Sequence, residues 1–250
     1  MTLCDSHAHF GDYLDGIKYM LQDGSLCIIL NTTDLTDFHT TLDFVRPFPK
    51  CVSFFAGVHP AKSQVETPEI ANVILKNLPW ISGIGEIGLD SRFDTADRLD
   101  SFRHQLELAE RLRKPVSVHS RGMVGRVLEE LSRYEPGSVL LHWFDSDERN
   151  LSVAASRGYY FSFGPAATYS KRLKRLVSLT PSDQLLVETD SPVVYGAFYG
   201  GKPADPRLVC SVLFSIAQER RIKVEELEDV VYENFKRFLG YDPLKDRTLD

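Results

Sequence analysis

The stretch LDSFRHQLELAERLRKPVSVH, residues 99–119, decides how the rest of the chain is read. Leu99, Phe102, Leu106, Ala109 and Leu112 recur at spacings of three and four, which sets one apolar stripe along a helix. Arg111, Arg113 and Lys114 fall in its expected last turn, where cations suit the negative end of the helix dipole. Pro115 cannot continue a helix. The run it opens, Pro115-Val116-Ser117-Val118-His119, reads as a short strand that ends on a histidine.

The same alternation extends in both directions. Strand-like runs fall at residues 3–7, 26–31, 52–58, 81–87, 115–119, 139–142, 159–163 and 184–188. Several are continuously hydrophobic, such as Leu26-Cys27-Ile28-Ile29-Leu30, as expected of parallel strands covered on both faces. Further helical stripes are Val124, Val127, Leu128 and Leu131; Leu208, Val212, Leu213 and Ile216; and Leu227, Val230, Val231 and Phe235. Eight strands alternating with helices in 250 residues match an α/β (β/α)8 barrel in count and length. The expectation is a single domain over residues 1–250 with an extra C-terminal helix. A doubly wound open sheet competes, but eight regular units are many for that fold in one domain.

Composition narrows the function. Hydrophobic residues make up 43% and charged residues 26%, which excludes disorder, collagen and coiled coil as the main state. The net charge of −6 argues against a broad basic nucleic-acid-coating surface and leaves room for a local phosphate site built on metal ions. No C-x-x-C pair occurs among Cys4, Cys27, Cys51 and Cys210, so they are expected to be reduced, buried small hydrophobes. The chain shows no signal-peptide pattern, and no apolar run approaches the ~18–20 residues of a membrane span. A cytoplasmic protein with no membrane and no obligate protein partner, monomeric by default, is expected.

Chemistry in such a barrel gathers at the C-terminal ends of the strands. Of seven histidines, His39 and His104 fall in helical segments and read as surface or packing residues. His7, His9, His59, His119 and His142 all fall at or just past strand ends. In Asp5-Ser6-His7-Ala8-His9 the two imidazoles are two residues apart, so they face one side and can bind one metal ion. Glu86, in Gly83-Ile84-Gly85-Glu86-Ile87-Gly88, would be costly to bury without a metal or a cation. Its two oxygens can also bridge two ions. That stretch spells G-x-G-x-x-G, yet no helix opens at once after it, and Glu86 would face a pyrophosphate with negative charge, so a dinucleotide site is rejected. His119 and His142 end strands beside Glu86 and read as ligands. Asp190, past the last strand, can bind metal and accept a proton from water. Glu188 reads as an interior acid with its own partner. Four histidines and two carboxylates exceed the three protein ligands of a mononuclear site, so two divalent ions are expected. Mixed nitrogen and oxygen donors suit Zn²⁺, Mn²⁺ or Fe²⁺, and Mg²⁺ can fill such a site.

The ordered set D-S-H-A-H, G-V-H-P, G-E-I-G-L-D, V-H-S-R, L-H-W-F and E-T-D-S-P resembles the TatD-like family of metal-dependent deoxyribonucleases, in the amidohydrolase superfamily. The match runs from Asp5 to Asn234-Phe235-Lys236-Arg237-Phe238-Leu239. The resemblance implies a (β/α)8 barrel and assigns roles: His7, His9 and Asp190 on one metal ion, His119 and His142 on a second, Glu86 between them. It also implies that His59 contacts substrate and that Arg121 meets a phosphate or holds a loop. Where the family commonly reads H-C-F-S-G, this chain has His142-Trp143-Phe144-Asp145-Ser146, and Ala204 stands where an amide is usual. Both changes bear on substrate choice more than on metal binding.

The expected activity is hydrolysis of a DNA phosphodiester, as an exonuclease on single strands or frayed ends, with Asp190 and Glu86 essential. The competing activity is hydrolysis of a small ester, amide or lactone on the same centre. In the loop at residues 191–206, Tyr195, Phe198 and Tyr199 either stack on unpaired bases or pack the loop down. The run Lys171-Arg172-Leu173-Lys174-Arg175 either meets a nucleic-acid backbone or is a solvated helix face.

Overall fold

The computed structural model describes residues 2–62 and 64–245, with the side chains of Val65, Ala197 and Phe198 outside the described set. Eight strands, β1 (Leu3–Ala8), β2 (Leu26–Asn31), β3 (Val52–Ala56), β4 (Ile81–Gly88), β5 (Val116–His119), β6 (Val139–Leu141), β7 (Tyr160–Phe163) and β8 (Leu185–Val187), lie side by side in chain order, every pair parallel. Between them run α1 (Leu14–Asp23), α2 (Leu35–Val45), α3 (Thr67–Lys76), α4 (Ala96–Leu112), α5 (Val124–Leu131), α6 (Glu148–Ser156) and α7 (Lys171–Leu179). Two more helices, α8 (Val209–Arg220) and α9 (Val224–Leu239), follow β8. This is the expected (β/α)8 barrel with its extra C-terminal helix.

The sheet curls until β1 meets β8. Asp190 N–H donates to His7 O at 2.9 Å, His9 N–H to Ser191 O at 2.8 Å, and Ser6 Oγ to Val187 O at 2.8 Å. Asp5, fully buried, accepts from Thr189 N at 2.9 Å and from Thr189 Oγ1 at 2.5 Å. That carboxylate pins the start of the chain to the segment carrying Asp190. At the N-terminal end of the barrel, Tyr241 Oη lies 2.8 Å from Ser53 Oγ and 3.0 Å from Ser82 Oγ. Phe238 of α9 packs its ring against Phe55 and Tyr160. This end is covered, so the opposite end carries the open mouth.

Some local expectations are corrected. α4 ends at Leu112, and Arg113 takes a left-handed φ of 50° as its C-cap, so Arg113 and Lys114 lie beyond the last turn. Leu208 belongs to a single 3-10 turn opened by Pro206 and stands just before α8. Cys4, Cys27 and Cys51 are buried free thiols, but Cys210 is exposed. The buried stripe of α8 is Val209, Val212, Leu213 and Ile216, which leaves position 210 on the outer side. No helix among the described residues is long and apolar enough to cross a membrane.

Candidate metal centre

His7, His9, His59 and His119 each have one ring nitrogen hydrogen-bonded to the surrounding protein and the other aimed inward. His7, the last residue but one of β1, sets Nδ1 2.8 Å from Ser117 Oγ on β5. His9 sets Nδ1 3.0 Å from the carbonyl of Asn31. A carbonyl only accepts, so His9 Nδ1 carries the proton and Nε2 is left as a lone pair in the neutral ring. Tyr13 Oη donates to His9 O and steadies the turn. His119 is held the other way round. Its Nε2 lies 2.9 Å from Asp90 Oδ2, and its Nδ1 lies 2.7 Å from Glu86 Oε1. Asp90 is itself clamped by the Arg92 guanidinium, with Nε at 2.9 Å and Nη2 at 2.6 Å. His142, one residue past β6, places Nε2 2.7 Å from Glu86 Oε1 and Nδ1 3.8 Å from Glu188 Oε2. Glu188 accepts from Ser162 Oγ at 2.5 Å, the partner expected of an interior acid.

The glycines around Glu86 serve close packing. A Cβ at Gly83 would stand 2.3 Å from the Phe55 ring, and one at Gly85 2.7 Å from Asn31 Oδ1. At Gly88, φ is 144° and a Cβ would stand 2.0 Å from the carbonyl of His119. Only glycine lets β5 approach there. The G-x-G-x-x-G spelling is thus a packing pattern, and the next helix opens only at Ala96.

Glu86 is 3% exposed, so its partners decide its state. Oε1 faces His119, His142 and, at 3.4 Å, His59 Nε2. Oε2 faces His9 Nε2 at 3.3 Å and His7 Nε2 at 3.6 Å. The two oxygens therefore serve two different sets of imidazoles. Asp190 Oδ1 lies 3.2 Å from His9 Nε2 and 3.7 Å from His7 Nε2. Among the described residues neither carboxylate has a lysine or arginine within ion-pair distance; both face imidazoles alone.

These donors fit divalent ions. His7 Nε2 and His9 Nε2 lie 3.3 Å apart, and the edges joining them to Glu86 and Asp190 run from 3.2 to 3.7 Å. A tetrahedral site with ligands at about 2.0–2.1 Å has edges of about 3.3–3.4 Å. By donor proximity the residues fall into three overlapping groups: His7, His9 and Asp190; His7, Glu86 and His142; His59, Glu86 and His119. The pairing of His119 with His142 thus runs through Glu86, and His59 comes closer to the ligand cluster than its expected substrate contact implied.

Charge follows the same geometry. Burial disfavours the Glu86 carboxylate, but His59, His142 and His119 outweigh it and hold its pKa well below the usual range. Burial opposes protonation of His142, but Glu86 and Glu188 win and push it up to about 10. His9 is raised likewise, against burial, by Asp190 and Glu86. His7 is pulled down to about 3, chiefly by burial and then by His142. Its ring stacks on His142 with centroids 3.7 Å apart. Without metal the cluster holds protons on some rings to balance Glu86, and ions binding there would displace them.

A cavity of about 540 Å³ opens over the cluster, lined by His9, His59, Glu86, His119, His142 and Asp190. Arg92, Arg121, Trp143 and Asp145 line it too. Arg121 is exposed at the rim. His39 on α2 and His104 on α4 are exposed, and neither lines this cavity. Tyr195 is buried and donates to Thr189 O at 2.8 Å, and Tyr199 Oη lies 3.0 Å from Thr168 Oγ1. Those rings pack the loop down; Phe198 lies outside the described side chains. Sequence reasoning assigned no role to Asp90 or Asp5. The only signals were their places in the G-E-I-G-L-D and D-S-H-A-H stretches.

A family model described as TatD related DNase matches residues 4–240. The chain is 30% identical to an uncharacterized metal-dependent hydrolase, YcfH, of Escherichia coli, over 97% of each chain. It is 31% identical to a protein of Salmonella typhimurium named 3'-5' ssDNA/RNA exonuclease TatD, over 77% of this chain and 74% of that one. Among solved structures, the TatD homolog YjjV of Escherichia coli superposes with a TM-score of 0.84 at 23% identity, covering 94% of this chain and 97% of that chain.

Proposed function

The chain belongs to the TatD-related DNase family of metal-dependent hydrolases, and from that premise we propose that it is a nuclease that shortens single-stranded or frayed DNA from its 3′ end. The observation that carries the reading is Glu86, whose two oxygens face separate sets of imidazoles with no lysine or arginine within ion-pair distance among the described residues. His7, His9 and Asp190 would hold one divalent ion, His119 and His142 a second, and Glu86 would lie between them. Zn²⁺, Mn²⁺ or Mg²⁺ suits this mixed donor set. When bound, two such ions would clamp the attacking and leaving oxygens of a phosphodiester and lower the pKa of water toward ~7.

The chain's own residues do the rest. Asp190 Oδ1 lies at the edge of the cavity and takes the proton of the attacking water. Glu86 keeps the two histidine sets in register. Arg121 at the rim binds a phosphate oxygen, and His59 contacts the substrate from beside Glu86. The 3′ polarity draws on the Salmonella relative's name. The chain is read as one cytoplasmic domain over residues 1–250, acting as a monomer.

The test is cleavage of a 5′-labelled single-stranded oligonucleotide, with and without a chelator, beside Glu86→Ala and Asp190→Asn. A ladder of shortened products, abolished by chelation and reduced by orders of magnitude in both variants, supports the reading. Wild-type rates in Asp190→Asn would overturn its role. Cleavage of small esters, amides or lactones with no oligonucleotide cleavage would replace the substrate.

A further inference from the structure

We infer that Trp143 is a base-stacking platform beside the metal centre, so that the cavity takes an unpaired nucleotide with its base on the indole. The inference rests on the nuclease reading and deepens it by naming what selects single strands.

His142 is held by its N–H on Val118 O at 3.2 Å and turns into the centre. Phe144 is held by its N–H on Ser162 O at 3.0 Å, and its ring is buried edge-on against Phe161 at 4.8 Å. Trp143, between them, has a φ of 41°, which bulky residues rarely adopt. With its neighbours turned into the centre and the core, its indole lies in the cavity wall.

One face of that ring is occupied. Tyr195 stacks against it with centroids 5.2 Å apart and planes 23° from parallel. Tyr195 is buried and anchored on the carbonyl of Thr189, next to Asp190. Trp143 lines the cavity and Tyr195 does not, so the tyrosine backs the indole and the other face is turned to the substrate space. Arg92 and Arg121 line the same cavity. A flat apolar surface beside cations and carboxylate-bound imidazoles matches the two halves of a nucleotide, base and phosphate. A base still stacked in a duplex cannot also lie on the indole, so a single strand or frayed end is selected. Asp145, in the same wall, is ion-paired to Arg172, which brings the basic run of α7 to the rim of the cavity.

Two measurements test this. Trp80 lies just before β4, at the covered end of the barrel, so Trp80→Phe leaves Trp143 as the sole tryptophan. With Mg²⁺ present, thymidine 5′-monophosphate should quench its fluorescence saturably, and deoxyribose 5-phosphate, which lacks the base, should not. Equal responses, or none, would overturn the inference. In hydrolysis, oligonucleotides with a normal 3′-terminal base should be preferred over an abasic end by about 5- to 150-fold in kcat/KM. Trp143→Ala should remove that preference by slowing only the base-bearing substrate, and Trp143→Phe should retain much of it. Equal slowing of both substrates would mean a structural role only and would overturn the platform. Quenching without any oligonucleotide cleavage would sink the nuclease reading and leave the platform. Cleavage with no base preference would do the reverse.

Discussion

Asp90 Oδ2 stands 2.9 Å from His119 Nε2, and this bond turns the opposite nitrogen of the ring, Nδ1, onto Glu86 at 2.7 Å. Burial disfavours the Asp90 carboxylate, but His119 and Arg92 outweigh it and keep it ionised well below the usual range. Asp90 thereby fixes which nitrogen of His119 faces Glu86.

Replacing it should show in metal binding before it shows in the fold. Asp90→Asn is expected to weaken metal affinity by about 10–100-fold while leaving the far-ultraviolet circular dichroism unchanged. Arg92→Ala, which removes only the clamp on Asp90, should cost less. Metal affinity equal to wild type in Asp90→Asn would show that His119 needs no such orientation.

Much of the side-chain cluster was legible because its members sit at or near the ends of strand patterns. His7, His119 and His142 close strand-like runs, Glu86 falls one residue before the end of its run and Asp190 just past the last one, and one end of a parallel barrel gathers such positions whatever lies between them in sequence. Asp90 was not legible in the same way. Its partner is 29 residues on, and nothing about a carboxylate after Gly-Leu shows which ring it will reach. The seam formed by Asp5 and Thr189 spans 184 residues and was hidden for the same reason. Tyr195 was open between stacking on substrate and packing the loop; only its bond to Thr189 and its contact with Trp143 decide for packing. The end of α4 was misplaced because Lys114 and Arg113 suit a helix terminus by charge, while the left-handed turn at Arg113 has no signal in residue type.

The cluster should make stability depend on pH, with metal changing the profile. Unfolded histidine titrates near ~6.5. In the metal-free protein His142 is raised to about 10, so its contribution is fully present below ~6.5 and is lost as pH rises through about 10. His7 is lowered to about 3, so its neutral ring costs stability as pH falls from ~6.5 towards that value. Thermal unfolding of metal-free protein should therefore peak near the unfolded histidine value. Loading with metal at neutral pH should release protons from His142 and His9 and flatten the alkaline fall. Calorimetry in buffers of different ionisation enthalpy reads the protons directly. Identical profiles with and without metal, and no proton release, would contradict the assignment.

Gly88 should tolerate no side chain. Its φ of 144° suits glycine, and a Cβ would meet the His119 carbonyl at 2.0 Å. Gly88→Ala is expected to destabilise the fold by about 1–3 kcal/mol and to weaken metal binding by moving His119. Denaturant unfolding and metal titration check the two effects, and a neutral substitution would mean that β4 and β5 can separate without cost.

The most direct test of the whole account is to add Mn²⁺ stepwise to metal-stripped protein, measuring ions bound per chain and the cleavage rate of a 5′-labelled single strand in the same samples. The rate is expected to rise as occupancy passes from one ion to two, and Glu86→Ala, lacking the carboxylate between the histidine sets, is expected to stay inactive. Full activity with one ion or none, or no cleavage with two ions bound, would contradict it.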